Sequence, residues 1–197
     1  MITVTTPATK FNLIDVSTAR SALSITDNSD DAALTAFVNR ASDVIARHCR
    51  RTFALETVTE QFRPDKYLGE LILSRYPVIE ITSITEGADA LANTDYEVAN
   101  DSGIVSRLYG DRPCHWSRHK ITVVYSAGFD LPTSAPDALQ HACVQLVKSY
   151  YMSADRDPMV RSEMSDNISS ASYFGGSDHL PPDVRGLLVQ FRNFRTR

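Results

Sequence analysis

Cys114, His115, His119 and Asp111 form the one local group in this sequence whose residue types suit covalent or metal chemistry. A thiolate beside an imidazole makes a nucleophile with its base, and Cys with His binds zinc. The spacing C-H-x3-H supplies at most three ligands, however, and adjacent side chains on a strand point to opposite faces. Arg112, Trp116, Arg118 and Lys120 surround the group, which therefore reads as an exposed basic-aromatic loop between two strands, suited to contact. His141 and Cys143 are two positions apart on a helical stretch and diverge. Asp30-Asp31 and Asp155-Arg156-Asp157 offer carboxylates that helix-start and turn roles explain. Glycine-rich phosphate loops, G-x-S-x-G and H-E-x-x-H are absent from the sequence, and Gly175-Gly176 stands alone as a hinge. The expectation is no catalytic residue, no metal ligand and no cofactor.

The second candidate is the C-terminal run Phe191-Arg192-Asn193-Phe194-Arg195-Thr196-Arg197. Aromatic residues interleaved with arginine suit a pocket on a partner protein, where these residue types dominate binding. They also suit stacking on bases with contacts to phosphate. A plain helix end, with arginines at the negative pole of its dipole, explains them as well.

The elements that must position these groups follow from periodicity. Residues 1–12 read as an extended polar arm. Ser17 caps a short helix, STARSAL, and Asn28 or Ser29 caps a longer one over 30–51. Along that helix Leu34, Phe37, Val38, Ala41, Val44, Ile45 and Cys49 recur at steps of three and four. The period then drops to about two. Segments 54–62, 71–73, 78–85, 96–99, 104–108 and 121–125 read as short strands of a small antiparallel sheet or barrel with one wet face. Ala138, Leu139, Ala142, Leu146, Val147 and Tyr150 restore the helical stripe to about Met152. A Ser-, Asp- and Gly-rich loop spans 153–180, and Pro181-Pro182-Asp183 opens a last helix. The order is helix, helix, β insertion, helix, loop, helix.

Composition narrows the partners. The 197 residues are 43% hydrophobic and 22% charged, ordinary globular usage for one domain or one domain with a large insertion. Lys+Arg of 20 against Asp+Glu of 24 leaves −4, which argues against coating DNA or a membrane. Residues 53–134 carry 7 basic and 12 acidic groups, whereas Val184–Arg197 carries Arg185, Arg192, Arg195 and Arg197 with no acid. An acidic middle and a basic end suit binding to copies of the same chain or to an acidic partner. Cys49 and Cys143 fall on apolar stripes and read as buried thiols rather than a disulfide framework. Apolar runs such as Ile121–Tyr125 are far below the ~20 residues of a membrane span, and MITVTTPATKF has no leader pattern. A soluble intracellular product is expected.

With these elements placed, the chain resembles the head–tail connector (adaptor, or head-completion) proteins of long-tailed phages and phage-like gene transfer agents. LIDVSTARSALSI followed by DDAALTAFVNRASDVIARHCRRTF resembles the family's opening of a short helix, an acidic pair and a long helix with a basic end. LILSRYPVIEITSI resembles its strand, Pro-Val, strand signature, and ITVVYSAGFDLPTSAPDALQHACVQLVKSYY its strand, Tyr-x-Ala-Gly, Pro, helix signature. The resemblance covers about residues 11–152, and 153–197 match only loosely.

The resemblance implies an α+β fold: a bundle of about four helices with a small antiparallel β domain inserted between the second and third. Residues 1–52 would then hold the arm and first bundle helices, 53–131 the inserted β domain, and 132–152 the third helix. Residues 153–180 would form a mobile loop, and 181–197 the last helix with its basic tail. It also implies a structural, non-enzymatic subunit of the neck of a virion or virus-like particle, assembled in the host cytoplasm. About a dozen copies would ring the underside of the portal protein, extend the DNA channel and receive the next neck or tail-completion protein. Double-stranded DNA would pass through the lumen without sequence-specific binding, and no membrane is involved. Phe191, Arg192, Phe194, Arg195 and Arg197 become candidates for docking on the portal. The loop about Ser169–Ser177 would order on assembly, and Arg112, Trp116, Arg118 and Lys120 would meet a neighbouring subunit or the next neck protein. The alternative is a DNA-binding accessory protein of particle assembly that uses the basic tail and the Trp116 loop. A hydrolase built on Cys114 and His115 comes third.

Overall fold

The structure is a computed structural model that describes residues 1–154, 162–165, 169–172 and 180–193. The chain folds as two units: Met1–Lys10 with Thr52–Leu131, and Phe11–Arg51 with Pro132–Arg197. Strands build the first and mainly helices the second, giving a mixed α+β protein with antiparallel sheets.

In the first unit, β9 (Ile121–Ala127) shows why the chain takes this form. Ile121, Val123, Tyr125 and Ala127 are buried and the residues between them half-buried, so a β-branched run with period two covers a core with one face. It lies between β2 (Glu56–Phe62) and β4 (Val78–Glu86) in a sheet ordered β1-β2-β9-β4-β5, with β1 at Ile2–Thr6 and β5 at Asp89–Ala90. Tyr125 stands opposite Val58 on one side and Ile81 on the other. A smaller sheet, β3-β7-β6, comprises Glu70–Ile72, Ile104–Tyr109 and Tyr96–Ala99, and β8 (Arg112–Cys114) also pairs with β7. Leu71, Leu73, Val105 and Trp116 join Val58, Ile84, Val123 and Tyr125 in one buried core.

All six anticipated strands are present, and β1, β5 and β8 are additional. The expected N-terminal arm is extended but not loose. Val4 pairs with Val58 and Ile2 with Glu60, so residues 1–10 belong with the strands rather than with the helices. A partner more than fifty positions away leaves no local mark on a Thr-rich segment.

Gly128 explains the Tyr-x-Ala-Gly motif physically. Its φ is +116°, and a Cβ there would lie 2.3 Å from the Ala54 carbonyl oxygen. Gly128 N–H donates to the Pro77 carbonyl at 2.9 Å, and Phe129 N–H to the Phe53 carbonyl at 2.7 Å. Only glycine lets the exit of β9 touch the entrance of both β2 and β4.

The helical unit contains α1 (Val16–Leu23), α2 (Asp31–Cys49), α3 (Asp137–Met152) and α4 (Pro182–Leu188), with a 3₁₀ turn at Val189–Phe191. Leu34, Val38, Ala41, Ile45 and Cys49 of α2 are buried, as are Leu139, Ala142, Cys143, Leu146 and Val147 of α3. Helix α3 packs on α1, α2 and α4. Ser42 is the buried polar residue of α2; its hydroxyl accepts Leu13 N–H at 3.0 Å and lies 3.8 Å from Cys143 Sγ.

Three local expectations are corrected. The first helices start at Val16 and Asp31 behind Asp15 and Asp30, without side-chain caps: Ser17 lies inside the first turn of α1, and Ser29 bonds back to Asp27. Helix α4 ends at Leu188, and the tail leaves through the 3₁₀ turn. Within the stretch expected to be loop, Ser162–Ser165 (β10) and Ser169–Ser172 (β11) pair antiparallel; serine-rich strands carry no apolar alternation to betray them. The rest of the candidate loop at 173–177 lies outside the described residues.

Candidate interaction surfaces

Buried carboxylates fix the loops of the β unit. Glu60 is 1% exposed, and its carboxylate accepts the Tyr125 hydroxyl at 2.9 Å and Ser74 N–H at 2.9 Å, with the Ser74 hydroxyl as a further donor. Arg75 N–H donates to the Tyr125 oxygen at 3.2 Å, and its guanidinium lies 3.6 Å from Glu56. Burial, then the Glu60 charge, pushes the Tyr125 phenol well above its ordinary range, so it stays a donor.

Glu86 does the same for the basic loop. Its carboxylate accepts Ser117 N–H at 2.6 Å and Arg107 Nε at 3.3 Å, while Arg107 also reaches the Asp95 carbonyl at 2.8 Å. Burial pushes the Glu86 carboxyl up, but the bonds from Ser117 and Arg107 outweigh it and hold the group below its ordinary value. The loop is anchored at both ends.

At its start, β7 and β8 turn through Gly110 and Asp111, both at positive φ (56° and 64°), the geometry of a tight two-residue hairpin. Trp116 is a correction. It was expected on an exposed loop, yet it is fully buried. Its N–H donates to the Leu68 carbonyl at 2.7 Å, Leu68 N–H returns the bond, and its indole donates to the Val105 carbonyl at 3.2 Å. An indole is large and apolar, and the β core offers both a cavity and an acceptor, so it serves as the loop's anchor. Arg112, Arg118 and Lys120 are exposed around it. Arg118 lies over the Tyr67 ring, 5.6 Å from its centre, and Tyr67 is 64% exposed.

Cys114 of β8 is half-buried and pairs with Arg107 of β7, while the Ser117 hydroxyl lies 3.2 Å from His119 Nδ1. Among the described residues no three His, Cys, Asp or Glu side chains come together as metal ligands. Cys49 and Cys143 are buried, and that burial pushes both thiols up to about 11.

The tail begins somewhere the sequence did not indicate. Asn193 N–H donates to the Cys49 carbonyl at 2.8 Å, tying the segment after α4 to the C-terminal end of α2. Arg192 and Arg51 both lower the Cys49 thiol against its burial, so both charges lie near it. Arg47, Arg50, Arg51 and Arg192 thus share one end of the helical unit, where the α2 dipole is negative. No local pattern in the sequence announces a contact between residues 49 and 193. Phe191 is half-buried and Arg192 exposed, while Phe194, Arg195 and Arg197 lie outside the described residues.

Comparison with known proteins decides what this arrangement belongs to. Residues 12–194 match the head completion protein family. The chain belongs to that family. Three solved structures share its fold, each covering 100% of this chain and 97% of the other. A chain in the neck of an empty GTA particle computed with C6 symmetry is 16% identical, with a TM-score of 0.61. One in the neck of a native GTA particle computed with C12 symmetry is 18% identical, at 0.60. One in the virion of a native gene transfer agent (GTA) particle is 17% identical, at 0.61. A search of the curated proteins found no match. As a head completion protein, the chain is a structural component of particle assembly, and none of its described helices is long and apolar enough to cross a membrane.

Proposed function

We propose that this head completion protein is a non-enzymatic adaptor of the head–tail connector in the neck of a virion or virus-like particle. About twelve copies form a ring under the portal, extend the DNA channel and offer a docking surface to the next neck or tail protein. The family match over residues 12–194 carries this reading. The likeness in fold to chains of C6 and C12 necks supports the ring, and the β unit carried between α2 and α3 supports its role as an inserted domain.

In this reading the tail docks on the portal through Phe191, Arg192, Phe194, Arg195 and Arg197, and Arg47, Arg50 and Arg51 widen the basic surface at its root. The loop bearing Arg112, Arg118 and Lys120 meets a neighbouring subunit or the next neck protein, with Trp116 holding it from inside. A chain lacking 189–197 is expected to lose capture of the portal protein from the same particle while keeping its helical circular dichroism. Undiminished capture would contradict tail docking.

The arginine cluster also favours a second reading, an accessory protein that binds DNA through its tail. Binding to duplex DNA that weakens steeply with salt supports that reading, whereas the net charge of −4 weighs against it.

A further inference from the structure

The two edges of the smaller sheet of the β unit differ in charge: one carries acids alone, the other gathers most of the sheet's exposed cations. Residues 104–106 of β7 pair with β3 on one side and β6 on the other. Arg107 pairs with both Tyr96 of β6 and Cys114 of β8, which places β8 on the side of β3. The β6 edge belongs to a stretch, 89–101, that carries Asp89, Asp95, Glu97 and Asp101 and no basic residue. Glu97 and Asp101 are exposed. The opposite edge presents Lys66, Arg112, Arg118 and Lys120, all exposed; Asp65, Glu70 and Asp111 are exposed there too, but the stretch 112–120, which holds three of the four cations, carries no acid. Arg118 is held over the exposed Tyr67 ring there, and Ile72, at the other end of β3, is 45% exposed, so this edge joins positive charge to apolar surface.

Rotational symmetry constrains how such edges are used. A closed ring of identical copies needs two different, complementary patches on each copy. Because rotation alone relates the copies, those patches must meet at the same height along the axis. Opposite edges of one small sheet supply the two patches, and they meet at one height when the sheet runs across the axis. We infer that the occupant of the Lys66–Arg112–Arg118 edge is the Glu97–Asp101 edge of a second copy of this chain. The inference rests on the ring of the proposed function and names the surface that closes it.

The test is a charge exchange between two variants. One carries Lys66→Glu with Arg118→Glu, making both edges acidic; the other carries Glu97→Lys with Asp101→Lys, making both basic. All four positions are exposed, so circular dichroism and Trp116 fluorescence are expected to match the unaltered chain. Each variant is mixed separately with tailless, portal-bearing heads, and the vertices are scored for a ring by electron microscopy. Each alone is expected to lower ring occupancy about tenfold or more, because every contact then sets like charges together. Mixed in equal amounts, the two are expected to restore rings, since alternation pairs an acidic edge with a basic one at every contact in a ring of even copy number. Rings from either variant alone at the unaltered level would overturn the proposal, as would a mixture that restores nothing. Failure of the adaptor reading shows separately, as an unaltered chain that forms no ring.

Discussion

The two units handle charge in different ways. The β unit takes carboxylates inside: Glu60 and Glu56 are 1% and 7% exposed, and the Glu86 and Arg107 side chains 14% and 15%. Among its described residues the helical unit buries no carboxylate as deeply: Asp43 and Arg47 are 58% and 80% exposed, and Arg20 and Asp31 are partly covered at 28% and 37%. The reason is backbone hydrogen bonding. Helices satisfy their own N–H and C=O groups and need only an apolar stripe to pack. Loops that leave a sheet have no such ladder, so Glu60 and Glu86 accept the N–H groups of Ser74 and Ser117. The surfaces of the β unit are therefore preformed by polar clamps.

The sharpest way to break this contrast is at the tightest backbone approach. Gly128→Val adds a side chain where even a Cβ meets the Ala54 carbonyl at 2.3 Å, and is expected to cost about 4 kcal/mol or more. The single tryptophan, Trp116, reports the β unit in a urea titration, while far-ultraviolet circular dichroism reports the helices. An unchanged tryptophan midpoint would remove the close approach from the explanation.

Glu60→Ala comes next. It leaves Ser74 N–H and the Tyr125 hydroxyl without their buried acceptor, at about 2–3 kcal/mol. Tyr151→Phe, which removes a hydroxyl bonded to Asp30 in the helical unit, is expected to cost about 1 kcal/mol. Asp43→Ala is expected to stay within about 0.5 kcal/mol, as exposed pairs do. Equal costs at Glu60 and Asp43 would erase the distinction between the units.

A milder effect comes from acid. Because the Glu86 carboxyl is held below its ordinary 4.5, the stability it contributes is complete above that value and is lost as pH falls through the lowered one. Glu86→Gln is expected to flatten that part of the tryptophan midpoint's pH dependence. Thiol labelling sharpens the comparison least but simply: at neutral pH one of three cysteines, Cys114, reacts quickly, while Cys49 and Cys143, raised to about 11 by burial, react only on unfolding.

Much of this was legible in the sequence, and the gaps have physical causes. The α2 stripe and the β9 alternation are local patterns, and both elements occur where period and residue type put them. The Tyr-x-Ala-Gly run was readable as a motif, but its cause was not, because Ala54 lies over seventy positions away. Strand β1 and the tie from Asn193 to Cys49 are long-range pairings of the same kind. Trp116 failed for another reason. A tryptophan flanked by Arg, His and Lys has the composition of a contact surface, and only the acceptor at Val105 and the bridge to Leu68 show that it faces inward. Residue type at the candidate site was informative, whereas side-chain direction was not.

The central claim concerns a place in a particle, so the most direct measurement is made there. The purified chain is added to DNA-filled, portal-bearing heads that lack tails, and the vertex is imaged by electron microscopy. The expected result is a new ring of density beneath the portal into which the β unit and the four helices fit. An unchanged vertex, with the chain instead retarding free duplex DNA at low salt, would contradict it.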